Sequence, residues 1–252
     1  MQPASDKTAA LLRDNWQRVS DEVAQACQAA GRTPDEVQVA GVSKYVGPEL
    51  TWQLYHAGCN ILAENRPQSL WEKAAHFTQQ QPTEQAPAEW HLIGHLQRNK
   101  LKRTLPLIDL LHSLDSLRLA QAIDAEASHQ GLQCRALLEV NVTQDTSKTG
   151  MSVDQVRSLL KLADELPRIE FCGLMAMSSL DASADHARRE FESVRELRDQ
   201  LQHEFAGHVT LSELSMGMSG DFREAIAAGA TLVRIGSSLW QGVLVGSNGQ
   251  QE

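Results

Sequence analysis

Eight short apolar runs, separated by helix-like segments, constrain this sequence more than any other feature. They are Val37–Lys44, Asn60–Asn65, Glu89–Gly94, Leu107–Ser113, Cys134–Asn141, Ile169–Met175, Val209–Ser215 and Thr231–Gly236. Runs of this length, rich in apolar residues and set off by turn formers, predict buried strands. Between them, apolar residues at three- and four-residue steps predict helices, as in Glu49–His56, Ser152–Leu166, Ala184–Phe205 and Phe222–Ala228. A further helix precedes the first strand over Lys7–Ala30, where Leu11, Leu12, Trp16, Val19, Val23 and Ala26 share one face; Gly31 and Pro34 end it. Eight strands, each followed by a helical segment in a chain of 252 residues, fit one α/β (β/α)8 TIM barrel with an extra N-terminal helix better than an open doubly wound sheet. Thr78–Ala88 reads as a surface loop within the barrel, and residues 246–252 as a disordered tail, leaving 1–245 as a single domain.

Composition narrows the partners. With 23 basic and 32 acidic residues the net charge is -9, which gives no general attraction to nucleic acid or to an anionic membrane. Cys27, Cys59, Cys134 and Cys172 are too far apart for a metal knuckle or a redox pair, and read as buried thiols of a reducing compartment. The first residues carry charge throughout, and no stretch approaches a membrane span, so the expected location is cytoplasmic.

In a barrel the working face lies at the C-terminal strand ends. Lys44 closes the first strand, Asn65 the second, Asn141 the fifth and Met175 the sixth, while His91 lies in the third and Arg234 two residues before the end of the eighth. Any one of these residues alone reads as a cap or a satisfied core group; together they mark one mouth. Ser215–Asp221 (SMGMSGD) follows the seventh strand and precedes the Phe222 helix, and Gly236-Ser237-Ser238 follows the eighth. Small residues before a helix let backbone N–H groups converge on an anion such as phosphate, at the place where barrels recurrently bind it. A lysine opposite a phosphate pocket has two readings. It forms an imine with a carbonyl, as pyridoxal phosphate requires, or it serves as base or cation in aldolase-like sugar-phosphate chemistry. Arg234, pointing inward beside the phosphate turn, favours the first, because a guanidinium there would lie against a pyridine nitrogen.

The motifs also occur in a recognisable order. VSK at Val42–Lys44, EN at Glu64-Asn65 with Gln68, WHLIGHLQRNK at Trp90–Lys100, SKTG at Ser147–Gly150, GLMAM at Gly173–Met177, ELSMGMSGD at Glu213–Asp221 and VRIGSSLWQG at Val233–Gly242 together resemble the pyridoxal-phosphate homeostasis proteins of the YggS/PROSC type. That family's fold is similar to the barrel domain of alanine racemase. The resemblance implies that Lys44 carries pyridoxal 5'-phosphate as an internal aldimine. It also implies that Ser219, Gly236 and Ser237 hold the phosphate, that Arg234 faces the pyridine nitrogen, that Asn65 and His91 flank the ring, and that Met175 and Met216 line the site. Ala63 stands where the family usually has glycine, and Arg66-Pro67 replaces a more usual aromatic-aliphatic pair, which bears on the loop after the second strand.

The implied role is to carry the cofactor in intracellular vitamin B6 homeostasis, with cofactor-accepting apoenzymes as partners and a monomer or weak dimer as the form in solution. The alternative is a low-activity racemase. An arginine at the ring nitrogen keeps it unprotonated and weakens the electron sink that carbanion chemistry needs. Racemisation also needs an acid or base on each face of the substrate carbon. Of the two tyrosines, strand alternation turns Tyr45 away from Lys44, and Tyr55 lies in an outer helix. His91 and His95 are the remaining substitutes, and nothing after Gly242 reads as a second domain to cover the mouth. Lys100 and Lys148 are further lysines within the motifs.

Overall fold

The computed structural model describes residues 3–80, 86–142, 149–179 and 182–244. Eight parallel strands close a barrel in chain order: β1 (Gln38–Val42), β2 (Ile61–Glu64), β3 (Glu89–Leu92), β4 (Leu110–Leu114), β5 (Cys134–Glu139), β6 (Ile169–Met175), β7 (Glu213–Met218) and β8 (Leu232–Ile235), with β8 pairing back onto β1. The helices are α1 (Pro3–Ala29), α2 (Pro48–His56), α3 (Pro67–Gln79), α4 (Leu101–Thr104), α5 (Leu117–Gln130), α6 (Val153–Leu160), α7 (Ala184–Glu204) and α8 (Phe222–Ala227).

Strand alternation divides the core. Ala40, Val42, Ala63, Leu110, Leu137, Cys172, Met175 and Leu232 pack inside the barrel. The neighbouring positions, among them Leu62, Leu92, Leu111, Leu138, Leu174, Leu214 and Val233, pack outward against the helices. The inner layer is built partly from small residues, and this leaves room for His91, His112 and Arg234, all buried.

The sequence reading needs correction at four places. The seventh strand is Glu213–Met218, not Val209–Ser215. Val209–Ser212 are held by α7 side chains instead: Gln202 Nε2 donates to Val209 O (3.1 Å), Leu211 N donates to Gln202 Oε1 (2.6 Å), and Arg198 donates to the carbonyls of Leu211 and Ser212. The fourth strand begins at Leu110, because Leu105–Leu107 form a 3-10 turn around Pro106. Thr78 and Gln79 belong to α3 rather than to a loop; residues 81–85 of that expected loop, and the tail 246–252, lie outside the described residues. Finally, β8 is followed by turns rather than a helix among the described residues.

The N-terminal helix takes that vacant place. α1 packs against both α8 and α2, outside the β8–β1 seam. Asn15 Nδ2 donates to Leu239 O (3.0 Å) and Gln241 O (2.9 Å), and Arg18 donates to Ser238 O (2.8 Å). Arg32, just after the helix, donates to Ala230 O (2.7 Å) and Ile226 O (3.1 Å). What the sequence presents as an extra helix therefore completes the outer ring.

One ion pair interrupts the apolar outer layer. Glu64, at the end of β2, and Lys73, in α3, are 0% and 2% exposed and bond to each other. Lys73 Nζ also donates to Ser43 O (2.7 Å) and Ser43 Oγ (3.1 Å), Ser43 Oγ donates to Glu64 Oε1 (3.0 Å), and Asn65 N donates to Glu64 Oε2 (3.2 Å). Removing one partner would strand a buried charge, which typically costs about 3–5 kcal/mol. Lys73→Met is therefore expected to lose stability on that order in urea titrations. The double variant Lys73→Met/Glu64→Leu, which leaves no orphan charge, should recover a large part of the loss.

Candidate functional site

Lys44 lies two residues beyond β1, exposed at the C-terminal mouth of the barrel. The two carbonyls before it are pinned: Trp240 Nε1 donates to Val42 O (2.8 Å), and Lys73 Nζ and Val46 N donate to Ser43 O (2.7 and 3.0 Å). A long, exposed side chain thus stands on fixed backbone. Because β1 ends at Val42, strand alternation does not extend to Tyr45. Contrary to the expectation that it points away, the Tyr45 ring lies beside Lys44, with Nζ 4.9 Å from its centroid. Tyr55 is buried in the outer layer, its hydroxyl donating to Ala86 O (2.9 Å).

The two small-residue turns meet. Gly236 N donates to Ser219 Oγ (3.1 Å), joining the end of β7 to the end of β8. The N–H groups of Ser219, Gly220, Ser237 and Ser238 have no acceptor among the described residues, and these are the donors an anion needs. SMGM belongs to β7 itself, so only Ser219 and Gly220 form the turn before Asp221. Gly217 has φ +88°, and a Cβ there would come within 2.5 Å of the Ala225 Cβ, so only glycine lets β7 bend here. The expected help from the next helix is small. α8 has six residues, and the carboxylate of Asp221 already stands at its start, accepting from Met218 N (2.6 Å) and Ser178 Oγ (2.6 Å).

Arg234 is 4% exposed, and burial pushes its pKa down to about 10, so it is cationic at neutral pH. Its NH1 donates to Ser215 O and Ser215 Oγ (both 2.7 Å), and NH2 donates to Ala176 O (2.9 Å). A guanidinium has five N–H donors, so two remain for a ligand. Ser215 Oγ also meets His112 Nδ1 (2.9 Å), and His112 Nε2 meets His91 Nδ1 (3.0 Å). Burial, with Arg135 nearby, lowers the His91 pKa to about 3; burial, with His91 and Arg234 nearby, pushes His112 well below its usual value.

The other expected residues divide. Asn65 follows β2 at the mouth, and Gly94 packs so closely on it that a Cβ would fall 2.1 Å from Asn65 O. Met175 packs in the inner core. His91 does not flank the mouth: its register partner Ala63 lies two residues before Asn65, so the ring sits one layer below, under His112. Met216 does not line the mouth with its side chain either; it follows inward-facing Ser215 on β7 and packs in the outer core. Asn141 lies beyond the end of β5, its N–H bonded to Met151 O (3.0 Å). Lys100 lies over the Trp71 ring, 5.6 Å from its centroid, and Lys148 is outside the described residues. Sequence reasoning missed His112 and Glu139, and placed Ser215 in the anion turn rather than inside a strand. Glu139 ends β5, its carboxylate accepts from Thr149 Oγ1 (2.5 Å), and burial raises its pKa. All three sit in strands at inward positions, and a polar residue at an inward strand position was the signal available for them.

A closed parallel barrel with an exposed lysine at its mouth, a buried arginine below and two joined turns of uncommitted N–H groups defines the class as a (β/α)8 barrel whose mouth collects cations and hydrogen-bond donors. Residues 12–242 match the family model of the alanine racemase N-terminal domain. The pyridoxal phosphate homeostasis protein of Aquifex aeolicus is 37% identical over 223 residues, covering 88% of this chain and 94% of that one. Among solved structures, PipY of Synechococcus elongatus PCC7942, determined with PLP bound, is 32% identical with a TM-score of 0.75, covering 86% of this chain and 99% of that one. Alanine racemase of Clostridium difficile 630, at 16% identity and a TM-score of 0.66, shares the fold, with this chain covering 56% of it. The chain belongs to the family of pyridoxal phosphate homeostasis proteins.

The neutral histidines give stability a pH dependence. His91 in the folded protein titrates near 3, below its ordinary 6.5, so between these values the unfolded chain binds more protons. The stabilisation is complete above the ordinary value and is lost as pH falls through this window, at up to about 1.4 kcal/mol per pH unit for each histidine that stays neutral. Glu139, whose pKa is raised, acts in the opposite direction as its carboxyl takes up a proton. Urea midpoints measured from about pH 7 to about pH 5 should fall, and His91→Gln should make the fall shallower.

Proposed function

We propose that this protein binds pyridoxal 5'-phosphate at the barrel mouth, links it to Lys44 as a Schiff base, and serves intracellular vitamin B6 homeostasis by holding a reactive aldehyde and passing it to apoenzymes. One observation carries the reading: three consecutive strands of the closed sheet, β7, β8 and β1, supply an anion cradle, a guanidinium with two uncommitted donors, and an exposed lysine. A ligand with a phosphate, a ring nitrogen and an aldehyde matches that set. PLP in the PipY structure and the names of the curated relatives support the same choice.

When bound, the cofactor supplies an electrophilic aldehyde and a ring that withdraws electrons once its nitrogen is protonated. Ser219 Oγ and the N–H groups of the two turns bind the phosphate. Lys44 Nζ would hold the aldehyde carbon, and Asn65 stands at the adjoining strand end. Arg234, cationic and with two uncommitted donors, would face the ring nitrogen and keep a proton off it, which would leave the ring a weak electron sink.

This favours a carrier without robust turnover over a racemase. Tyr45 lies on the same side as Lys44, so it offers no second base on the opposite face, and Tyr55 is buried away from the mouth. His91 is buried below, and His95 is engaged with Asp115 (2.9 Å). The four cysteines are buried and free, which suits a cytoplasmic location, and no helix among the described residues is long and apolar enough to cross a membrane.

Purified protein mixed with the cofactor should show an absorbance band near the visible edge that borohydride fixes to Lys44 in peptide mapping. Lys44→Ala should lose the band while keeping weak binding through the phosphate turns; an unchanged spectrum would mean the lysine is misassigned. Incubating the loaded protein with a panel of amino acids in deuterated water should give no rapid exchange of the α-proton. Rapid exchange would overturn the carrier reading.

A further inference from the structure

Four buried polar side chains cross the barrel interior from β8 to β3, and their hydrogen bonds have a single consistent direction. Arg234 can only donate, and it gives one proton to Ser215 Oγ. The Ser215 hydroxyl carries one proton of its own, and its one remaining partner among the described residues is His112 Nδ1, at 2.9 Å. If His112 donated instead, the serine proton would be buried without an acceptor, at a cost on the order of 1–3 kcal/mol. His112 therefore accepts at Nδ1 and carries its proton on Nε2, from which it donates to His91 Nδ1 at 3.0 Å. His91 then carries its proton on Nε2, facing Glu89 Oε2 at 3.9 Å. The reversed chain would instead turn a bare nitrogen lone pair toward that carboxylate. A cation at one end and an anion at the other select the same order of donors.

We propose that Ser215 and His112, backed by His91, are positioning residues that lock the Arg234 guanidinium in one orientation beneath the mouth and thereby set the protonation state of the bound cofactor's ring nitrogen. The proposal rests on the reading that this mouth holds pyridoxal phosphate with Arg234 toward the ring. Of these four residues only Arg234 faces the ligand; the serine and the histidines act through it. The chain also keeps NH1 of Arg234 fully occupied, so the two free donors are those on NH2 and Nε. The charged groups around it are few: Glu139 and Asp221 act on Arg234, Arg234 and His91 act on His112, and Arg135 and Glu89 flank His91.

Two measurements test this. In ligand-free protein labelled with nitrogen-15 in histidine, both buried rings should appear as neutral Nε2–H tautomers and stay so when acidified within the stable range. A protonated ring, or an Nδ1–H tautomer at either position, overturns the proposal even if no variant folds. The second measurement adds pyridoxal 5'-phosphate to Ser215→Ala, His112→Leu and His112→Gln and records absorbance against pH. Ser215→Ala and His112→Leu should shift the pH at which the bands interconvert by about one unit, while borohydride still labels Lys44. His112→Gln, which retains an acceptor and a donor, should lie nearer the wild type. Folded Ala and Leu variants with the wild-type pH profile would overturn the proposal and leave the cofactor reading intact. Wild-type protein that forms no chromophore would instead sink the cofactor reading itself.

Discussion

The buried bond network among Lys73, Glu64 and Ser43 fixes the place from which everything at the mouth is measured. A barrel strand is held by its neighbours only as far as its ladder extends; β1 stops at Val42, and its last bond to β2 runs from Ser43 N to Ala63 O (3.0 Å). The Ser43 carbonyl must still be placed if Lys44 is to stand over the barrel rather than swing away from it. Lys73 achieves this from outside, through the sheet, by binding the Ser43 carbonyl while Glu64 neutralises it. Burying both charges is costly, and an apolar pair would pack the same space without that cost. What the ion pair supplies is a donor aimed at one carbonyl and, through Glu64, an acceptor for the N–H of Asn65. One pair thereby registers the ends of β1 and β2 together.

Much of this was legible in the residues, and what was not has identifiable causes. Alternation of strand and helix period predicted the barrel, and position along the strands put Lys44 and Asn65 beyond strand ends at the mouth and Arg234 inside the barrel, where the structure has them. Ser219 and Gly236 could be paired because both follow strands that barrels use for anions. The Lys73–Glu64 pair was invisible because a lysine in an amphipathic helix ordinarily faces water, and only the depth of α3 against the sheet shows otherwise. Met216 was assigned to the mouth by the resemblance alone; with the seventh strand read as Val209–Ser215 it fell beyond the strand, so the alternation that points it outward was not there to oppose the assignment. Val209 and Leu211 look like strand letters, yet Gln202 and Arg198 satisfy their backbone from α7, a long-range arrangement no local pattern encodes.

The interior shows how a barrel can use polarity without a channel. Small residues at Ala40 and Ala63 make space, and His91, His112 and Arg234 fill it, each buried and each bonded. Burial holds the imidazoles neutral, so they serve as rigid connectors rather than as charges. The charge is concentrated in Arg234, beneath the turns where an anion would sit and one strand from the exposed amine. Rigid interior and exposed lysine thus occupy adjacent strands.

The α1 helix has a consequence for the order in which the protein can be assembled. It closes the ring at the junction of β8 with β1, and its anchors, Leu239, Gln241 and Ser238, belong to the far end of the chain. A ribosome therefore delivers the seal first and the edge it seals last. Until β8 emerges, β1 has an open edge, and Trp240, which clamps the Val42 carbonyl, does not yet exist. Lys44 and Arg234 lie on opposite sides of that seam, so no partial barrel presents them together. Tight capture of a ligand by both would report that the whole circle has been completed.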